Sequence, residues 1–555
     1  MKISNSSESA SKARGLSAQA DALDARRRSL VLASATLTAA PLFPRAAHAQ
    51  EPGRMAPVKG AQAGAARLPA TPFQRNLPIP PQLRGDRRDG ALHFALTAQA
   101  GSSELVAGLQ TPTWGYNGSM LGPALVVPRA QPVRVELRNG LAQSTTLHWH
   151  GAIVPGPVDG GPHSPILPGR TQRVGFTLDQ PGATLWFHPH PDTRTGAQAY
   201  AGLAGLLLVD DGVDRRLGLP HAWGVDDIPV IVQDRRIAAD GTLLYMSSMH
   251  DLMGMKGDRF LVNGREQPHV AVPAQHVRLR LLNGSNARIY NFAFDDGRSF
   301  QVVASDAGLL ARPETTRRLV LAPGERAEIV VDLSGDQGRQ LVLQSRFAEV
   351  VDTLNGSPMG SDAWDQSTIE LLQLRIGAPN GAKSGVPAKL VGIDPIPVAA
   401  ARVRRFTLQG MRMGSMMGGP RNVDRSAPID SGPAGMSLGV GGQNLFSIND
   451  QFMQMNLINQ RVRLGDAEIW ELRNEGYMAH PIHVHGVSYQ VMSRDGASPP
   501  EWERGRKDTV LVRRGETVRL AMRFTQRADE AHPYMYHCHI LEHEGNGMMG
   551  QFTVS

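Results

Sequence analysis

Three stretches of the chain alternate apolar and polar residues with a period of two and then turn. They are Val133-Arg-Val-Glu-Leu-Arg-Asn-Gly140, Val277-Arg-Leu-Arg-Leu-Leu-Asn-Gly284 and Glu468-Ile-Trp-Glu-Leu-Arg-Asn-Glu-Gly476, the pattern of a strand with one buried face. A second theme follows each: Pro168-Gly-Arg-Thr171, Pro323-Gly-Glu-Arg326 and Arg514-Gly-Glu-Thr517, with alternating strands over 172–178, 327–333 and 518–524. From one repeat to the next, Asn139, Asn283 and Asn474 lie 144 and 191 residues apart, and Gly169, Gly324 and Gly515 lie 155 and 191 apart. Two independent markers with similar spacing indicate an internal repeat. The pattern predicts an all-β chain of three sandwich or barrel domains, placed at 73–212, 213–400 and 401–555. The longer second interval implies an insertion between the last two repeats, placed near 410–442, which is rich in Gly, Pro and Met. Residues 50–72 read as a flexible lead-in.

Composition agrees with this outline. The chain has 555 residues, enough for about three or four domains, and is 41% hydrophobic and 20% charged. The 59 Gly and 39 Pro favour turns and strands over helices. No apolar run reaches the roughly 18 residues of a membrane span. The net charge of +7 is uneven: +4 of it falls in the first 49 residues, which argues against a nucleic-acid partner. There Arg26-Arg27-Arg28-Ser29-Leu30-Val31 leads into a mildly apolar stretch that ends in Ala47-His48-Ala49. Paired arginines, a weak apolar segment and a small-x-small site resemble a signal read by the twin-arginine (Tat) export machinery. The mature chain is expected to start near Gln50 and to act in the periplasm.

Ten of the 18 His fall in four motifs: His148-Trp-His150-Gly, His188-Pro-His190, His480-Pro-Ile-His483-Val-His485-Gly and His537-Cys538-His539-Ile-Leu-Glu-His543. The first two lie in repeat one and the last two in repeat three. Repeat two has no His at the matching positions. Residues i and i+2 of a strand share a face, so each His-x-His presents two imidazoles side by side. One such pair is an ordinary surface or backbone-satisfied feature. Four pairs in two related repeats give eight imidazoles, too many for one ion and suited to a cluster between domains. Imidazole suits Cu, Zn, Fe and Ni.

The fourth motif decides the metal. Cys538, the only Cys of the chain, points away from the face of its two His neighbours and can bind a second metal. His543 and Met548 follow it, and His480 comes from the neighbouring strand. Thiolate, two imidazoles and a weak axial thioether form a blue-copper electron-transfer site, joined to the cluster through the Cys538 backbone. A buried free Cys can be a small hydrophobe, but that does not account for its place between two His. Zinc has no redox chemistry for such wiring to serve.

These motifs resemble those of the multicopper oxidase family, which includes laccases and bacterial cuprous oxidases; all four are complete and in order, over about Pro72 to Ser555. The resemblance implies three cupredoxin-like Greek-key domains and four copper ions. His480, Cys538, His543 and Met548 would hold type 1 copper, and His148 and His483 type 2. His150, His188, His190, His485, His537 and His539 would hold the type 3 pair. It implies one-electron oxidation of a reductant at type 1 and four-electron reduction of O2 to water at the trinuclear cluster. Asp159 and Glu544 match the family's proton-supplying acids, with Glu542 as a substitute for Glu544.

For the reductant the chain offers methionines, whose soft thioethers select Cu(I). Met411, Met413, Met416 and Met417 fall where cuprous oxidases carry a Met-rich insert, and Met478 matches a Met near their substrate copper. Met246, Met249, Met253, Met255, Met436, Met453 and Met455 form further Met-rich patches; flexible core filling is an equal reading of 411–417 and the favoured one for Met453 and Met455. The acid expected two residues before Met478 is absent; Gly476 stands there. The expected function is a monomeric copper-tolerance oxidase acting on Cu(I) and, laccase-like, on phenols. The alternatives are a phenol-oxidising laccase without a copper role and a non-catalytic periplasmic copper-binding protein. A division-associated relative without copper ligands fits poorly, because every ligand is present.

Overall fold

The computed structural model describes residues 72–354, 361–381, 384–410 and 444–555. The four methionines at 411–417 and Met436 lie outside them, as do the export signal and the lead-in before Pro72. Among the described residues no helix is long and apolar enough to cross a membrane.

The strands form three successive pairs of sheets, drawn from residues 82–210, 227–377 and 402–554. Each pair is built on the same three strands. Pro132–Asn139 runs parallel to Ala91–Val106 and antiparallel to Thr171–Thr177. His276–Asn283 stands likewise between Asp227–Arg235 and Arg326–Asp332, and Ala467–Asn474 between Arg402–Gln409 and Thr517–Arg523. The three repeated sequence stretches are therefore the same strand of each domain.

The repeat markers have a shared physical role. Asn139, Asn283 and Asn474 are fully buried. Each side-chain amide donates to two carbonyls: those of Gln143 and Ile166, of Arg288 and Leu321, and of Met478 and Val512. Each side-chain oxygen accepts from the backbone two residues on, at Leu141, Ser285 and Gly476. The second marker meets the first, because Gly169, Gly324 and Gly515 donate their N–H to the carbonyls of these Asn at 2.8, 2.9 and 3.0 Å. These glycines turn at φ of 71°, 83° and 71°, where a Cβ would be strained. Removing one Asn side chain would strand buried carbonyls, at about 1–3 kcal/mol for each group left unpaired.

The strand patterns differ in one respect. Pro132–Asn139 alternates exposed and buried positions, but His276–Asn283 is buried on both faces after its first residue. Its polar positions turn to a buried charged layer where domain two meets Thr184 of domain one, instead of to water. Arg278 and Arg280 are buried there against Asp214, Asp227 and Glu328, and Thr184 of domain one donates to Glu328 at 2.6 Å.

Candidate metal centres

Two His strands of domain one face two of domain three. His148–His150 pairs with Ala183–His188, placing His148 opposite His188. His480–Val484 pairs with Tyr534–Cys538, placing His483 opposite His537. All eight imidazoles of the four His-x-His pairs are at most 1% exposed.

Their ring nitrogens converge. Nε2 of His148 and of His483 are 3.4 Å apart. Nε2 of His537 lies 3.2 Å from Nε2 of both His190 and His485. Nδ1 of His150 lies 3.4 Å from Nε2 of His188, and the His539 ring stands 5.0 and 5.4 Å from those two rings. With metal–nitrogen bonds of about 2.0 Å, neighbouring ligand atoms are roughly 3 Å apart, so these spacings suit ions held between the rings. Both ring nitrogens of His539 lack any hydrogen-bond partner in the protein, an unusual state for a buried polar group that a metal resolves.

The nitrogens facing away from the centre are held by acceptors, which fixes the tautomers. Carbonyls of Asp159, Pro189, Asp508 and Cys538 accept from Nδ1 of His148, His188, His483 and His537 at 2.8–3.1 Å. Asp159 Oδ2 accepts from His485 Nδ1 at 2.8 Å. His150 is turned the other way, with Nε2 3.1 Å from Asp508 Oδ1 and 3.0 Å from Thr509 Oγ1. Glu544 brings Oε2 within 3.3 Å of His537 Nδ1 and Oε1 within 3.6 Å of His190 Nδ1. Glu542 is used otherwise: it accepts from Tyr245 Oη, Met255 N and Asn286 Nδ2 at 2.8–3.0 Å. It fastens domain three to domain two.

A second centre lies behind the same strand. Cys538 Sγ is 3.5 Å from His480 Nδ1 and 3.6 Å from His543 Nδ1, and these two nitrogens are 3.2 Å apart. The three side chains are fully buried or nearly so. The Met253 carbonyl, from domain two, accepts from His543 Nε2, and Phe446 stacks on the His543 ring. Met548 is buried in the same core; its carbonyl accepts from Cys538 N and its N–H donates to His543 O. His537 and His539 lie one residue either side of Cys538, so the two centres are joined by single peptide units.

Burial sets the protonation states. It depresses the pKa of His150, His188, His190, His483, His485, His539 and His543 well below the usual value, and those of His480 and His537 to about 3. At neutral pH these rings keep the lone pair a metal needs. Burial pushes the Cys538 thiol up, so a metal there must displace a proton. The metal-free protein should consequently be acid-sensitive. An unfolded His binds a proton below about pH 6.5, while these folded rings do not, so stability falls as pH drops from there toward the depressed values. The slope approaches about 1.4 kcal/mol per pH unit for each such ring. Denaturant unfolding of the metal-free chain near pH 7.5 and pH 5.5 should show a loss of several kcal/mol; an unchanged midpoint would refute the assignment of buried neutral rings.

The methionines divide. Met478 is 5% exposed and packs in the domain-three core, beneath the surface rather than on it. A Cβ on Gly476 would stand 3.1 Å from His480 Nε2 and 3.1 Å from Gly410 N. The acid missing at 476 would therefore have met the His480 ring, whose Nε2 has no hydrogen-bond partner in the protein.

Two residues at the cluster escape a reading by ligand type. Asp508 contacts His150 and is gripped by both terminal nitrogens of Arg326 at 2.7 and 2.6 Å. Burial raises the Asp508 carboxyl, and the Arg326 guanidinium opposes that rise. Arg326 belongs to the Pro-Gly-Glu-Arg theme of repeat two. In the same turn, Gly324 lies so near His539 that a Cβ would stand 2.8 Å from the ring, and Glu325 pairs with Lys507 at 3.1 Å. The domain without histidine ligands thus buttresses the cluster.

Comparisons with known proteins give the family. Models of the multicopper oxidase family match residues 97–214, 238–358 and 430–555. A multicopper oxidase of Staphylococcus haemolyticus is 34% identical over 87% of this chain and 93% of its own. The cell division protein FtsP of Escherichia coli K12 is 33% identical over 89% of this chain and 96% of its own. The solved structure of a laccase-like multicopper oxidase from Ochrobactrum sp. is 35% identical, with a TM-score of 0.74 over 86% of this chain and all of that one. Three matched domains, full-length relatives and a shared fold place the chain in the multicopper oxidase family.

Proposed function

We propose that the protein is an exported cuprous oxidase with laccase-like activity on phenols. The observation that carries the oxidase reading is the thiol–imidazole–imidazole centre joined by single peptide units to a centre of eight imidazoles. His480, Cys538, His543 and Met548 would hold type 1 copper. His148 and His483 would hold type 2. His190, His485 and His537 would hold one type 3 ion, and His150, His188 and His539 the other. Copper bound there supplies one-electron acceptance at Cys538 and four-electron reduction of O2 to water at the imidazole cluster.

The chain's own residues do the rest. Asp159 and Asp508 orient the rings and offset positive charge in a site closed to water. Asp159, against His485, and Glu544, against His537 and His190, stand where protons consumed in making water can be handed on. Asp159→Asn should therefore lower O2 consumption about 10²–10⁴-fold while the blue absorption of the Cys538 site persists. Full turnover in that variant would remove Asp159 from the relay.

Cu(I) as reductant is supported by the path of the chain. Gly410, which leads into Met411, Met413, Met416 and Met417, lies against Gly476 beside His480. An oxygen electrode comparing Cu(I), a phenol and Mn(II) tests this, with Cu(I) expected to give the fastest uptake. Deleting 411–417 should abolish Cu(I) oxidation and spare phenol oxidation; Cu(I) oxidation that survives the deletion sinks the copper-substrate reading.

A further inference from the structure

Three methionines with no part in the centres above meet inside domain three. Met453, Met535 and Met549 are 1%, 0% and 2% exposed and pack as a cluster of their own, apart from the branched and aromatic core. Met535 precedes His537 by two residues on Tyr534–Cys538 and so shares its face, and Met549 is the cross-strand partner of His537. The Met535 carbonyl accepts from His485 N at 3.0 Å. A Cβ on Gly161 would stand 3.9 Å from Met535 Cγ and 3.8 Å from Asp159 Oδ2, so the Met535 side chain and the carboxylate that holds His485 border one small gap.

The loop bearing Met453 is fixed in place. Met453 N donates to Gly547 O at 3.1 Å, and Gln551 Nε2 donates to Gln454 O and Leu457 O at 2.7 and 3.0 Å. Two residues beyond Met453, Met455 reaches the surface at 36% exposed. Gap filling accounts for one methionine among branched neighbours. It does not account for a patch made of methionine alone, set against the face of the histidine cluster. Thioethers are neutral, soft ligands that select Cu(I). The charge of a buried Cu(I) would be balanced by Asp159, whose Oδ1 has no hydrogen-bond partner in the protein.

We propose that Met453, Met535 and Met549 form a Cu(I) site through which copper passes from the surface at Met455 to the histidine cluster. The route rests on the reading that this cluster holds copper; the site does not. The test compares the parent with Met453→Leu/Met535→Leu/Met549→Leu, since Leu for Met nearly conserves volume and fold. Copper-loaded protein is titrated with Ag(I), a soft ion without redox chemistry. The parent should bind one more silver equivalent than the variant, with sulfur ligands by X-ray absorption. From a Cu(I)–glutathione donor, the metal-free parent should fill its histidine cluster at least about tenfold faster than the variant. Equal silver uptake overturns the site, and equal filling rates overturn the route. If the triple variant fails to fold, Met453→Leu alone, on the loop, is read in the same two ways. A parent that takes up no copper would sink the oxidase reading, while the silver count would still decide the triad.

Discussion

Copper-loaded Cys538→Ser protein should be colourless and should consume no O2 above background with any reductant, a loss of at least about 10³-fold. The thiolate is the one ligand that gives a blue-copper site its character, and its backbone is the one short link from that site to His537 and His539. A Ser hydroxyl is nearly isosteric, so the fold should survive. A buried hydroxyl without a full set of partners costs about 1–3 kcal/mol, small for a chain with three separate cores. The imidazole cluster is built from other residues and should keep its copper, so metal content should fall by one ion. Circular dichroism, copper analysis and the visible spectrum check the three parts. Persistent blue colour, or turnover with the colour gone, would refute the assignment of Cys538.

Much of the centre was legible because its histidines and its cysteine are placed by short-range geometry. A period of two puts His148 beside His150 and His537 beside His539, and turns Cys538 to the opposite face. The repeat was legible for a related reason. Asn139, Asn283 and Asn474 satisfy the same buried carbonyls in each domain, so the residue recurs where the bonding recurs. Asp508 and Arg326 were not legible, since their roles depend on contacts between domains. Asp508 has no His neighbour in sequence, and Arg326 sits in a theme whose counterparts in repeats one and three have Thr171 and Thr517 at that position. The one available signal was position: Lys507-Asp508-Thr509 lies between the two histidine motifs of repeat three. The burial of Arg278 and Arg280 was hidden similarly, because an alternating strand looks the same whether its polar face meets water or another domain.

That interdomain grip supports the second large effect. Arg326 is 1% exposed and donates to the carbonyls of Thr184, Gly324 and Asp306 as well as to Asp508. It therefore ties domains one and three to domain two at the edge of the cluster. Arg326→Met would fill the space but leave Asp508 buried without its counter-charge and three carbonyls without a donor. Breaking a buried pair from one side costs about 3–5 kcal/mol, and each stranded carbonyl adds about 1–3 kcal/mol. Asp508 would then relieve its isolation by taking a proton and would cease to hold His150 Nε2 as a carboxylate. Loss of such a partner typically weakens metal binding about 10–100-fold. Denaturant unfolding of the metal-free variant should show the first effect, and chelator competition for the cluster copper the second. Arg326→Lys keeps the charge but loses the two-pronged grip, so it should recover part of the stability and less of the affinity. If Arg326→Met leaves chelator resistance at the parent value, the buttress is structural alone and domain two has no hold on the metal centre.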